Sequence, residues 1–219
     1  MRKATLLVIL AALVAGFSAC HIGKGVKGSG NLKTEKRDLP AFKAIETTGA
    51  YQVGVICQKP ASFEIETDDN ILPLIKTDVR DGVLYITSEK SYNPSRAVTL
   101  RISLPELTAV SSRGAGEVTI QDAKSDDLKI ESMGAASIKA AGKVKSATIS
   151  SSGAGDIDAN RLQTEKARVT VAGAASVSVY ASEQLDVSVS GVGSVTYGGN
   201  PKTVNKSVSG IGSVNQKEE

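Results

Sequence analysis

Aliphatic and polar residues alternate through the second half of this chain. Val169-Thr170-Val171 and Val187-Ser188-Val189 put an aliphatic side chain at every second position, the period of a strand with one buried face. The alternation flanks a short cassette that occurs six times: Gly114-Ala115-Gly116-Glu117-Val118, Gly134-Ala135-Ala136-Ser137-Ile138, Gly153-Ala154-Gly155-Asp156-Ile157, Gly173-Ala174-Ala175-Ser176-Val177, Gly191-Val192-Gly193-Ser194-Val195 and Gly210-Ile211-Gly212-Ser213-Val214. The first glycines of successive copies lie 18 to 20 residues apart. Four positions before them stand Val110, Ile130, Ile149, Val169 and Val187, with Lys206 breaking the series at the last copy. Two positions before stand Ser112, Ser132, Ser151, Val171, Val189 and Val208.

Each unit reads as strand, small-residue corner, strand. Glycine at the corner permits positive φ and lets one backbone press closely on the next. A fixed period of this length denotes a solenoid, in which each repeat buries its apolar face only against its neighbours. Equivalent positions then stack about 4.8 Å apart into continuous aliphatic columns. The predicted fold is all-β: a single-stranded parallel β-helix with rungs of 19–20 residues, right-handed because parallel crossovers favour that hand. The weak points of such a fold are its ends, where strand edges are unpaired. Asn215 to Glu219 supply a polar stop at one of them.

Upstream the rhythm loosens. Segments around Ala44-Ile45, Tyr51-Gln52-Val53, Phe63-Glu64-Ile65, Val83-Leu84-Tyr85-Ile86 and Val98-Thr99-Leu100-Arg101-Ile102 read as strands. Asp81-Gly82 is a hairpin signal between Val79 and Val83, and Ile71 to Ile75 suits one short helical turn or a kinked edge. Thr48 to Val53 faintly echoes the cassette, which suggests earlier rungs of the same coil. No compositional break divides the chain, so residues 39–219 are expected to form one domain.

Residues 1–19 carry the marks of an export signal: Arg2 and Lys3, an apolar run from Leu6 to Ala15, and small residues before Cys20. The apolar run is short for a bilayer span. Cysteine directly after Ser18-Ala19 makes the segment resemble a bacterial lipoprotein signal, with Cys20 as the acylated first residue. An ordinary secretory signal with an incidental cysteine is the alternative. Residues 20–38 are rich in Gly, Lys and Ser and predict a flexible tether between the lipidated Cys20 and the domain. The expected location is the cell envelope, most simply the outer membrane, held by acyl chains without a transmembrane helix.

Removal of residues 1–19 takes away Arg2 and Lys3 and leaves basic and acidic side chains nearly balanced, so charge does not point to a nucleic-acid partner. The second cysteine, Cys57, then lacks an intramolecular partner, and its apolar neighbours predict a buried free thiol. The one histidine, His21, lies in the expected tether, which removes His-dependent triads and His-rich zinc sites. Trp is absent and aromatic residues are scarce, against stacking platforms for sugars or single-stranded nucleic acid.

Three features together are similar to the GIN-domain family: Ala41-Phe42-Lys43-Ala44-Ile45 with Gly49, Ile102 to Leu107 leading into Gly114-Ala115-Gly116, and the terminal Gly210 to Val214. The likeness spans about Phe42 to Val214. That family is described as autotransporter-adhesin heads, many of them lipoproteins of Bacteroidetes-type bacteria. The resemblance implies a right-handed β-helical envelope domain and brings no catalytic motif.

The fourth cassette residue predicts a vertical polar row: Glu117, Ser137, Asp156, Ser176, Ser194 and Ser213. It is a candidate face for a glycan or a surface protein, since repeats commonly display one continuous ligand surface; small hydrophilic residues at solvated corners are the plainer reading. A lyase or hydrolase would need converging carboxylates. Asp156 and Asp158 share one face, but Asp68-Asp69 and Asp126-Asp127 look like turn residues, and Arg113, Arg161 and Arg168 are scattered. The sequence therefore favours a non-catalytic, adhesin-like envelope lipoprotein with no cofactor, metal or catalytic residue. A carbohydrate-active enzyme and a self-associating homo-oligomeric module remain the alternatives.

Overall fold

The computed structural model describes residues 25–217; the expected signal peptide and Cys20 lie outside them. The first elements are β1 (Val26–Lys27), β2 (Leu32–Lys36), β3 (Ala44–Thr47), β4 (Ala50–Cys57), β5 (Ser62–Asp68), a 3-10 turn (Leu72–Leu74), β6 (Ile75–Arg80), β7 (Val83–Ser88), β8 (Tyr92–Asn93) and β9 (Val98–Leu104). The coil continues through β10 (Ala109–Ser112), β11 (Ala115–Ser132), β12 (Ala135–Ser151), β13 (Ile157–Val171), β14 (Ser176–Tyr180), β15 (Gln184–Val189), β16 (Val192–Gly198), β17 (Thr203–Val208) and β18 (Ile211–Gln216). The architecture is the expected parallel β-solenoid, of about 5 turns.

Each turn has a first leg that enters the cassette and a second leg that leaves it. In the first legs, Val110, Ile130, Ile149, Val169, Val187 and Lys206 are successive register partners. In the second legs, Val53, Val118, Ile138, Ile157, Val177, Val195 and Val214 are aligned in the same way. All but Lys206 and the half-buried Val214 are buried. The core is thus a bundle of vertical aliphatic columns, each side chain packed between its equivalents above and below.

The cassette glycines are needed for proximity. A Cβ on Gly134 would fall inside the carbonyl oxygen of Gly114, and the same holds for Gly114 on Gly49, Gly153 on Gly134, Gly173 on Gly153, Gly191 on Gly173 and Gly210 on Gly191. Positive φ, the other expected reason, applies within the cassettes only to Gly116, at +114°. One unbroken glycine stack therefore runs the length of the coil.

The N-terminal part departs from simple winding. Rung β3–β4 does extend the solenoid, yet it lies between two segments that come later in the chain: β3 pairs in parallel with both β7 and β10, and β4 with both β9 and β11. Antiparallel strands then close this end, β5 against β9 and β2, and β6 against β7 through the Asp81-Gly82 turn. Both turn residues have positive φ, +52° and +73°, the tight hairpin form that this dipeptide favours. Pro73 sits within the 3-10 turn, and Ile71, Leu72 and Ile75 bury their side chains there.

The expected flexible tether is largely folded. β1 pairs with β8 in parallel and β2 pairs with β5 antiparallel, so only residues 20–24 of that segment lie outside the described structure. Asp68 is buried and fastens this arm: its carboxylate accepts from the Gly30 amide (2.7 Å) and from the Ser95 amide (2.8 Å) and hydroxyl (2.7 Å). Arg37 adds a second tie, donating to the carbonyl oxygens of Ile75 (2.8 Å) and Leu72 (3.3 Å). Glycines and charged residues suggest mobility, but backbone pairing and one buried carboxylate hold the segment, whose apolar side chains Val26 and Leu32 are not buried in the core.

The opposite end stays open. Lys206, at an otherwise aliphatic position, lays its ammonium 4.8 Å over the Tyr197 ring and donates to the Val214 carbonyl (3.2 Å). A cation folded over the last rung keeps this edge wetted and discourages strand addition.

Candidate functional site

The polar row forms one column on the outer side of the second legs. Glu117 is the register partner of Ser137, and Ser176, Ser194 and Ser213 follow one another. The intervening Asp156 is placed by the alignment of Ile138, Ile157 and Val177. All six are exposed or half-buried. Parallel stacking brings them together although they span almost 100 residues of sequence.

The charges on this column are partly occupied. Lys139 donates to Glu117 at 2.6 Å across one rung, a pair about half exposed on both sides and so of small energetic weight. The Asp156 carboxylate accepts from the Ser176 amide (3.3 Å), and the Asp158 carboxylate from the Asn160 amide (3.1 Å). Both hold local backbone rather than converge on a common point. Arg113 pairs with Glu46 (2.7 Å) and Arg168 lies 3.7 Å from Asp186. Asp68, expected as a turn residue, is instead the buried fastening of the N-terminal arm. Among the described residues no group of three or more His, Cys, Asp or Glu is arranged to hold a metal ion.

Beside the polar column runs a second, apolar one. The second cassette residues, Ala115, Ala135, Ala154, Ala174, Val192 and Ile211, stack above Ala50 on the exposed side. Ile211 is 80% exposed and Val192 59%. The two columns line a shallow trough of about 420 Å³ near the open end, between Ala174, Ser176, Val192, Ser194, Ile211 and Ser213. The signal was present in the repeat: the same cassette position is apolar in every copy.

Cys57 is free and buried, as its neighbours imply. Burial pushes its thiol up to about 11, and the Asp122 carboxylate adds to the shift. A thiol so protonated is a poor nucleophile at neutral pH. The phenol of Tyr51 is likewise driven up, chiefly by burial.

No helix among the described residues is long and apolar enough to cross a membrane. No curated protein matches the chain. Among solved structures, a putative adhesin from Bacteroides fragilis is similar at 26% identity and a TM-score of 0.73, the match covering 88% of this chain and 100% of that one. A putative lipid binding protein from Parabacteroides distasonis is 22% identical with a TM-score of 0.56, over 89% of this chain and 100% of its own. A putative adhesin from Parabacteroides merdae is 20% identical with a TM-score of 0.55, over 90% and 100%. The last two speak to fold alone. The family model described as "Putative auto-transporter adhesin, head GIN domain" matches residues 41–201, the stretch that holds most of the glycine stack and of both outer columns, and the chain belongs to that family.

Proposed function

We propose that this protein is a non-catalytic, adhesin-like lipoprotein of the cell envelope. Acyl chains on Cys20 fix it to a membrane, most simply the outer membrane, and the solenoid presents its cassette face to a glycan or a surface protein. The observation that carries this reading is the continuous column of solvent-reached polar residues from Glu117 to Ser213, beside a glycine stack that presses successive rungs closely together. Ordered presentation lowers the ordering cost of binding, and a repeated column offers a polar group, serine on four of its six rungs, along one face.

Two measurements test it. Cys20→Ala is expected to move the protein from the membrane fraction to the soluble envelope fraction; retention with membranes would sink the anchor. A glycan array probed with the protein, followed by turnover assays on any hits, tests the rest. Binding without turnover supports the proposal, whereas turnover would make the protein a carbohydrate-active enzyme. Silence on the array with concentration-dependent mass in solution would favour a self-associating module.

A further inference from the structure

A groove of about 800 Å³ occupies the other turn of the coil, where each second leg hands over to the next first leg. Its size lies in the range of ligand pockets. Two register irregularities open it, one between Ile120 and Ala123 and one between Lys139 and Ala141, the bulges by which a strand turns away from its neighbour. Asp122 (φ +55°) and Gln58 (φ +62°) hold left-handed backbone at its rim, where non-glycine residues are uncommon. The floor is apolar: Ala123 and Val144 are buried, and Gly142 presses so closely on the Ala123 carbonyl that a Cβ has no room.

The charges in this groove are arranged unlike those elsewhere on the coil. Lys124 and Lys143 are register partners, so their stems rise about 4.8 Å apart on neighbouring rungs. Like charges placed side by side are unfavourable, yet neither lysine forms an ion pair or a side-chain hydrogen bond among the described residues. Their neighbours are partnered: Lys145 with Asp126 (2.8 Å) and Glu106 with Lys43 (2.6 Å). Asp122 and Glu165 also line the groove; neither forms an ion pair among the described residues, although Lys145 lies near enough to Glu165 to feel its charge. Taken together the lining carries four carboxylates and three ammonium groups. A densely anionic polymer would be repelled by it, whereas a ligand with one carboxylate among many hydroxyls is complementary. The carboxylate relieves the lysine pair, and the hydroxyls donate to Asp122 and Glu165.

We propose that this groove binds an oligosaccharide carrying an isolated carboxylate, a uronic-acid type of sugar, with its carboxylate bridging Lys124 and Lys143 over the Ala123–Val144 floor. This deepens the glycan-binding reading and rests on it, while moving the recognition point from the cassette column to the opposite turn.

The test is calorimetric titration of the purified full chain in detergent with two trisaccharides, one ending in glucuronic acid and the other in glucose. The acidic sugar is expected to bind at least tenfold more tightly than the neutral one. Lys124→Gln/Lys143→Gln should remove that preference, and Lys33→Gln/Lys36→Gln on β2 should retain it. Both groove lysines are exposed, so an unchanged melting temperature in the double variant ties the loss to binding. Equal binding of the two sugars, an unaffected double variant, or tighter binding of a fully sulfated trisaccharide would each overturn the proposal. If the acidic sugar fails but array hits persist in the double variant, the groove assignment falls and a glycan-binding role stands. No binding of any sugar removes both.

Discussion

The two ends of this solenoid solve one problem differently. At the N-terminal end the last parallel rung is covered by antiparallel strands, a 3-10 turn and a strap fastened by Asp68, and Ile65, Ile71, Leu72 and Ile75 are buried beneath them. At the C-terminal end no further strand covers β17 and β18 among the described residues; Val208 is 45% exposed, and Lys206 is the device that spans the gap. Stacking buries a rung sideways but cannot bury the final one. One end is closed by added chain, the other is left open beneath a single charged side chain, and the first should be much the stiffer.

The largest expected effect separates the middle of the stack from its edge. Gly153→Val would force a side chain into the Gly134 carbonyl with rungs packed on both sides, and should cost on the order of 4 kcal/mol or more, or abolish soluble folded protein. The same change at Gly210, on the terminal rung, should fray that rung alone and cost less than about 1 kcal/mol. Urea unfolding followed by circular dichroism distinguishes the two, and equal losses would mean the stack acts as one unit to its tip. Next in size is Ile65→Ala in the cap. Its side chain is fully buried, so a loss of about 2–5 kcal/mol is expected, against less than about 1 kcal/mol for Val214→Ala at the open end.

A pH-dependent effect follows from Asp68. The Ser95 hydroxyl, with the Ser95 and Gly30 amides, holds its carboxyl below the usual carboxylate range. A carboxylate depressed in the folded state stabilises it above the ordinary value of about 3.9 and loses that contribution as pH falls toward the folded value. Hydrogen exchange at amides 26–31 should therefore accelerate as pH drops below about 4, beyond the intrinsic change in exchange rate. Asp68→Asn should exchange rapidly at every pH; an unchanged profile in that variant would show the strap held by backbone pairing alone. The smallest effect concerns the interior column of Ser132 and Ser151, whose hydroxyls are buried without a partner, whereas the next rungs carry Val171 and Val189. Ser151→Ala removes an unsatisfied group and should be neutral or stabilising by about 1 kcal/mol, read as a small rise in the urea midpoint. A clear loss would indicate that the hydroxyl holds a buried water.

Where the sequence states its own periodicity, the structure was readable. The aliphatic columns, the glycine corners and the polar row all follow from a cassette whose positions repeat, because parallel stacking turns sequence period into spatial neighbourhood. Lys206 was visible as an exception, but its role needed Tyr197 and Val214 around it. The strap could not be read, since β2 presents Lys33, Thr34 and Glu35 and is held through backbone groups that carry no side-chain signature. The place of β3–β4 between later segments was equally hidden: Gly49 echoes the cassette, yet its nearest copy lies 65 residues away at Gly114. Lys124 and Lys143 are one period apart, so the alignment by rung that stacks the aliphatic residues also sets these two charges side by side.

That misplaced rung bears on how the chain assembles. From Gly114 onward each new turn can dock on a finished one, so the C-terminal half can wind up stepwise, with every contact closing a loop of about 19 residues. The rung at Ala44 to Cys57 has no such partner at hand. Its two neighbours are supplied by Val83 to Leu104 and Ala109 to Gln121, so it must wait until more than half of the chain has emerged and then be enclosed from both sides. Long-range closure of that kind slows folding. A protein exported N-terminus first would carry this segment unpaired until residues 83–121 had followed it, and the slow step in its maturation would be the locking of an early rung by strands from the middle of the chain.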